Sequence, residues 1–493
     1  MLWAQSPDLP VFRPAIPKTW DDSAISAVEV PLADPAGSPK HVSADYYYKI
    51  PVRPIYKSYT VFASGHEPPG YADWLKQQEP EIVWDDKGHA PSLTTEANWI
   101  SAGEIVFDAA IVYDGITTAS DVRKPEWYSK TGVLLSRDGA MPFYRYVIRQ
   151  KGKVELGRLA CSACHTRVMA DGTTVKGAQG NFSFDRARAY ALRSGRFKPE
   201  EIDALERGLF AAPWLRPDPI ARLAQMSVDQ ISAAHDDIPP GVAARHRSSF
   251  FYPVQVPDLI GVRDRRYLDR TGLQQHRSIV DLMRYAALNQ GGDDLASYNG
   301  FVPLDNPKFS RLPEPSDPRV GGRYSDEQLY ALARYMYSLQ PPLNPNRFDA
   351  LAARGKKVFE REGCAACHAL PLGTNNKLTP AEGFAIPQDH LKRYDVLPVV
   401  VGTDPGLALQ TRRGTGYYKI PSLKGVWYRG MFPHDGSCAT LEDWFDRRRL
   451  QDDYVPTGFK GYGVKVRAVK GHEFGLNLSS EEKRALLTFL RTL

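Results

Sequence analysis

Two short runs hold the residues best suited to chemistry. Cys161-Ser162-Ala163-Cys164-His165 and Cys364-Ala365-Ala366-Cys367-His368 both read Cys-x-x-Cys-His. Thiols so spaced on a helical turn can add across the two vinyl groups of one porphyrin, and the histidine that follows can take its iron. A zinc site would need four ligands per ion, and only Cys438 remains outside the two runs. A redox pair of cysteines has no use for a following histidine, twice. The runs therefore predict two covalently bound c-type haems, with His165 and His368 as proximal iron ligands. The group on the other face of each iron then decides function. A strong sixth ligand gives electron transfer, and an open position gives chemistry with peroxide or dioxygen.

Composition narrows the setting. The chain has 493 residues, enough for two or three domains. Its 39 prolines and 39 glycines predict many turns and long connections. No apolar run approaches the ~18 residues of a membrane span. The net charge of +6 is spread along the chain, so the basic residues are expected to meet haem propionates, not nucleic acid. One leftover cysteine excludes a structural disulfide network, and Cys438 is expected to be a small buried hydrophobe. Covalent haem attachment takes place outside the bacterial inner membrane. The opening Met1-Leu2-Trp3-Ala4-Gln5-Ser6-Pro7 has neither the basic nor the apolar region of a signal peptide. A periplasmic or secreted chain whose signal peptide is already gone is the expectation.

The elements that must position the haems occur twice. Gly103 and Phe107 before the first motif match Gly355 and Phe359 before the second. Glycine permits close helix crossing, and the ring one turn on packs against the partner helix. That partner is also duplicated. Ser325-Asp326-Glu327-Gln328 and Ser479-Ser480-Glu481-Glu482 read as capping boxes. Leu332 and Met336 follow the first, and Leu486, Phe489, Leu490 and Leu493 the second, on one helical face. Pro341-Pro342 stops the first helix. Pro257-Asp258-Leu259-Ile260-Gly261-Val262 matches Pro421-Ser422-Leu423-Lys424-Gly425-Val426, and 278–283 matches 440–445. Residues 132–135 and 143–148, around Arg137-Asp138-Gly139, read as a β-hairpin.

The fold class expected is mainly α, with two tandem class I cytochrome c-like haem domains, a small β-hairpin and an irregular N-terminal extension. The boundaries read as 1–95 for the extension, 96–345 for haem domain 1 and 346–493 for haem domain 2.

Over roughly residues 98–493 the chain resembles the bacterial di-haem cytochrome c peroxidase superfamily. The resemblance rests on the two haem domains and on Pro421-Ser422-Leu423-Lys424-Gly425-Val426-Trp427, Phe432-Pro433-His434-Asp435-Gly436 and Thr440-Leu441-Glu442. That superfamily includes the enzyme that matures methylamine dehydrogenase and the di-haem rubber oxygenases. The resemblance implies that haem 1 meets peroxide or dioxygen and that a six-coordinate haem 2 carries electrons, with an aromatic residue between them. It also implies a calcium ion, and a small redox protein or small molecule as partner. Three features depart from simple peroxidases, the first being that their catalytic glutamate is not recognisable after His165. The proximal histidines lie 203 residues apart (165 to 368), and Arg448 stands where a ligand methionine is usual, fourteen residues after His434.

His472 is the candidate sixth ligand of haem 2, with His434, Met431 and His390 as rivals. His434 is otherwise expected beside a propionate. At haem 1 the candidates are His276 as distal group and Phe301 as a wall of an apolar pocket. Met169, Met226 and Met283 are further possibilities, with Met283 expected in the core. Trp214 and Trp427 are candidate relays between haems, and Arg277, Arg284 and Arg429 candidate propionate partners. His235 and His246 are expected at the surface. The leading reading is an exported oxidoreductase using peroxide or dioxygen. An oxygenase acting on an apolar substrate, and a non-catalytic electron-transfer cytochrome, are the alternatives.

Overall fold

Two helix crossings of the same construction organise the molecule. The computed structural model describes residues 12–85, 93–244, 248–301 and 312–493. Helix Glu96–Asp108 crosses helix Asp326–Ser338, and helix Ala350–Arg361 crosses helix Ser480–Arg491. A Cβ on Gly103 would lie 2.0 Å from the Ala331 carbonyl oxygen, and one on Gly355 would lie 1.9 Å from that of Ala485. Only glycine lets the backbones come so close. One turn on, Phe107 meets Tyr335 with ring centres 5.2 Å apart, and Phe359 meets Phe489 at 5.4 Å. Burying each ring contributes about 1.5–3 kcal/mol. Ser325 with Gln328, and Ser479 with Glu482, form the two capping boxes.

Among the described residues there are sixteen α-helices, one four-stranded sheet and six two-stranded sheets, a mainly α architecture. No described helix is long and apolar enough to cross a membrane.

Two expectations change here. The hairpin pairs strand Ala140–Gln150 with strand Lys153–Arg158, turning at Lys151-Gly152, where Gly152 adopts φ +80°. Residues 132–135 form no strand, and Arg137-Asp138-Gly139 is a turn closed by the Gly139 amide on the Ser136 carbonyl. The N-terminal region is also more regular than its composition implies. Its strand Ser58–Phe62 joins the hairpin as an edge of the four-stranded sheet. Trp20, Tyr47, Ile50 and Trp84 enter the same apolar cluster as Trp99, Phe107, Leu332 and Met336. Trp20 stacks on Tyr47 at 4.5 Å, and its indole N–H donates to the Val42 carbonyl. The aromatic residues that obscure periodicity in this region are core residues.

The second helix pair closes over Val358, Trp444, Phe445 and Cys438. Cys438 is fully buried, and burial pushes its thiol up to about 12.

Candidate functional site

Each Cys-x-x-Cys-His run folds into one tight turn. The His165 amide bonds the Cys161 carbonyl at 2.9 Å, and the His368 amide bonds that of Cys364 at 2.8 Å. This swings each imidazole under its own pair of thiols. The duplicated proline segments then orient the rings. Nδ1–H of His165 donates to the Pro257 carbonyl at 2.9 Å, and Nδ1–H of His368 donates to that of Pro421 at 3.1 Å. A carbonyl only accepts, so the proton sits on Nδ1 and the Nε2 lone pair is left to bind iron.

A cavity of about 450 Å³ opens on Cys364, Cys367 and His368, a volume suited to a cofactor. His472 enters the same cavity, its ring centre 6.3 Å from that of His368. Two imidazoles binding one metal at about 2.0 Å each have ring centres roughly 6 Å apart. Nδ1 of His472 is buried without a hydrogen-bond partner. Burial and the neighbouring His368 push its imidazole down to about 3, which keeps it a neutral base.

Its backbone is held in the left-handed region at φ +46° by an arginine that the sequence did not single out. The Arg449 side chain is fully buried. It lies 4.1 Å over the Trp444 ring and donates to the carbonyls of Trp444, Val469, Gly471 and His472.

His434 lines the same cavity, stacked on Tyr418 at 4.2 Å, with Nε2 unpartnered. The other rivals of His472 sit elsewhere. Nδ1 of His390 pairs with the Tyr417 hydroxyl at 2.9 Å, and Met431 packs in the cluster of Phe210 and Phe250.

A second cavity, about 80 Å³, opens on Cys161, Cys164 and His165. Its walls include Leu282, Tyr285 and Asn289 from helix Ile279–Asn289, and Leu332 and Met336 from the closing helix. Among the described residues, no imidazole other than that of His165 lines it.

Between the cavities lies a knot of cations. Arg265, Arg270, Lys419 and Arg429 line a common cleft, and Lys419 lines both cavities as well. Their hydrogen bonds go to main-chain carbonyls: Asp258 and Ile260 for Arg265, Gln255 and Val256 for Arg270, Tyr267 for Lys419, and Ser422 for Arg429. Burial, with Arg429 and Arg265 beside it, pulls Arg270 down to about 9, and burial with the same neighbourhood holds Lys419 well below the usual amine range. Nε of Arg429 has no partner. Concentrated positive charge of this kind calls for anions, and two haems would bring four propionates. The donor sets, the spacing of the imidazoles and these cations all fit two haems. Among the described residues, no group of three or more His, Cys, Asp or Glu side chains could hold a metal ion such as calcium.

Several other candidates stand away from the cavities. Both ring nitrogens of His276 are engaged, Nδ1 with the Arg265 carbonyl at 2.8 Å and Nε2 with the Tyr337 hydroxyl at 2.7 Å, which leaves no distal role. Phe301 packs beneath Arg412 and beside Trp214. Trp214 stacks on Tyr298 at 4.8 Å, outside the region between the cavities. Trp427 packs on Tyr428 beside Ile260 and lines neither cavity. Met283 is fully buried in the first core, while Met169 and Met226 pack in other apolar clusters. Arg277 and Arg284 bond the Asp281 carboxylate, so of the three arginines expected at propionates only Arg429 faces the cavities. His235 is fully buried between Asp185 (2.8 Å) and Glu206 (3.3 Å), because two carboxylates make an interior imidazolium favourable. His246 lies outside the described residues.

Repeat matching could have found the missed residues around the cleft. Lys419 stands two places before Pro421, as Gln255 does before Pro257. Gln255 lines the cavity of His368, and Lys419 lines that of His165.

No family model matches the chain. The methylamine utilization protein MauG of Methylorubrum extorquens is 25% identical over 217 residues, 40% of this chain and 50% of MauG. The chain thus spans about half the length of the curated relative it matches. Two solved structures are similar in part. Hydrazine synthase of Kuenenia stuttgartiensis, pressurised with xenon, aligns at 15% identity and TM-score 0.29, covering 62% of this chain and 92% of that one. A MauG-like protein associated with microbial copper homeostasis aligns at 18% identity and TM-score 0.22, covering 34% of this chain and 56% of that one. Superpositions at these scores fix no shared architecture.

Proposed function

We propose that this chain is a periplasmic di-haem c-type cytochrome enzyme of the cytochrome c peroxidase superfamily. In this reading haem 1, on Cys161, Cys164 and His165, reacts with hydrogen peroxide. Haem 2, on Cys364, Cys367, His368 and His472, passes electrons to or from it. The carrying observation is the inequality of the two cavities. His472 stands opposite His368 with a free nitrogen, and among the described residues no second imidazole reaches the cavity of His165.

When bound, haem supplies one-electron chemistry and, where its sixth position is open, reaction with peroxide. The protein does the rest. Pro257 and Pro421 fix the proximal imidazoles through their carbonyls. Arg265, Arg270, Lys419 and Arg429 line one cleft and would hold haem propionates there. Leu282, Leu332 and Met336 give the first cavity an apolar wall. The similarity to MauG over 217 residues agrees with a haem oxidoreductase. The electron partner would be a small redox protein or a reducing small molecule.

The resting holoprotein tests this. Its EPR spectrum should contain one high-spin and one low-spin ferric signal, and peroxide should consume the high-spin one first. Two low-spin signals, unchanged by peroxide, would leave only electron transfer.

A further inference from the structure

The first cavity contains one polar arrangement that the haem motifs do not explain. Tyr285 lines it from helix Ile279–Asn289, and its hydroxyl donates to Oδ2 of Asp269 at 2.8 Å. Asp269 lines the cavity too, and its carboxylate also accepts from Nη1 of Arg413 at 3.2 Å. Arg413 is anchored in turn by Asn289 (2.8 Å) and Asp293 (3.4 Å). A phenol needed only for packing could satisfy itself on any carbonyl. This one is tied to a carboxylate that also pairs with a buried guanidinium.

The repeat says which face of haem 1 this is. Helix Ile279–Asn289 matches the turn Leu441–Trp444 of the second unit. There Trp444 lies 5.4 Å from His472, on the side where the sixth ligand stands. Leu282 is the match of Trp444, and Tyr285, about one turn further along the same helix, lines the first cavity with it, which sets Tyr285 on the sixth-ligand side. It is half-buried, and burial with the adjacent Asp269 holds its phenol above the usual range, so it is a neutral donor at pH 7.

We propose that Tyr285 is the acid–base residue of the first cavity, with Asp269 as its proton partner. The assignment rests on the reading of haem 1 as the open site. Heterolysis of hydrogen peroxide requires one proton to move from the oxygen nearer the haem to the outer oxygen. Tyr285 takes that proton as it passes its own to Asp269, and the same exchange in reverse delivers a proton to the outer oxygen. The O–O bond then breaks, the doubly protonated oxygen leaves as water, and haem 1 supplies the two electrons.

Small ligands test the assignment without relying on turnover. Hydrogen cyanide must lose a proton to bind ferric haem, and carbon monoxide on ferrous haem reports a nearby hydrogen-bond donor through its stretching frequency. In the holoprotein, Tyr285→Phe should slow cyanide binding to haem 1 by about 100-fold and shift the C–O stretch, with both resting spectra unchanged. Asp269→Asn should slow cyanide binding as strongly, since the phenol can take a proton only by passing its own on. If that variant fails to fold because Arg413 loses its partner, Tyr285→Phe still decides. A wild-type cyanide rate and C–O stretch in Tyr285→Phe overturn the proposal. So does loss of a charge-transfer band in its resting spectrum, since Tyr285 would then be an iron ligand. If haem 1 of the unmodified protein binds neither probe, both irons are six-coordinate. The functional reading then falls, and this assignment with it.

Discussion

The two cavities are built on one plan and finished differently. In both, a glycine-mediated helix crossing closes the back, a Cys-x-x-Cys-His turn presents the imidazole, and a proline carbonyl fixes the ring. The difference lies in the stretch before each closing helix. In the second unit, residues 469–475 bring His472 into the cavity, and Arg449 holds them there. In the first unit, residues 302–324 contain no His, Met or Cys at all. Helix Ile279–Asn289 instead offers a phenol and an amide to that cavity. On the proposed reading, the scaffold would set where each iron sits and the loops whether its last position is filled.

Removing one thiol pair breaks the comparison most completely. Cys161→Ala with Cys164→Ala should halve the covalently bound haem in a pyridine haemochromogen assay and leave only the low-spin signal. Cys364→Ala with Cys367→Ala should halve it too, but leave the high-spin signal. If both variants leave the same spectrum, the cavities are not unequal.

Next in size is His472→Ala. It should convert haem 2 to high spin and leave the signal of haem 1 as it was. An unchanged low-spin signal would remove His472 from the ligand set and bring forward His434, the other imidazole in that cavity with an unpartnered nitrogen.

Much of this scaffold was legible because it is local and duplicated. The capping serines, the Gly-x-x-x-Phe spacing and the proline segments act within a few residues, and each appears twice. The hairpin was placed one turn too early because Arg137-Asp138-Gly139 is as good a turn as Lys151-Gly152, and only pairing with Ser58–Phe62 distinguishes them. Residues 12–85 looked irregular because their aromatic residues bury themselves against distant helices, which leaves no period to read. The cation knot was missed for a similar reason. Arg265 and Arg270 meet Lys419 and Arg429 only when the two units fold against each other. His276 has the right residue type near the right motif, but the Tyr337 hydroxyl and a carbonyl take both its nitrogens.

Arg449→Met should act more mildly than loss of His472. Methionine keeps much of the volume under Trp444 but leaves four buried carbonyls without their donor. The cost is about 3 kcal/mol, drawn from the loop that carries His472. A mixture of low-spin and high-spin haem 2 is expected, with the low-spin fraction rising on cooling or on addition of imidazole. A fully low-spin spectrum would show that the loop keeps its place without the guanidinium.

The smallest effect on the comparison should come from His235, which lines neither cavity and so separates stability from coordination. Burial alone would lower its pKa, but Glu206 and Asp185 outweigh burial and raise it. Glu206 is held low in return, since Arg188 and the imidazolium outweigh its own burial. The raised histidine contributes stability that is fully present below its unfolded value, about pH 6.5, and is lost as pH rises through the folded value. The lowered Glu206 contributes stability that is lost as pH falls below its own unfolded range. His235→Gln, read by urea melts, should therefore cost roughly 3 kcal/mol near pH 6 and clearly less near pH 9. Both haem spectra should stay as they were. A loss independent of pH would mean that His235 is neutral in the fold and that its two carboxylates are satisfied some other way. A change in either spin state would tie this buried pair to the haems and weaken the claim that coordination is decided by the loops alone.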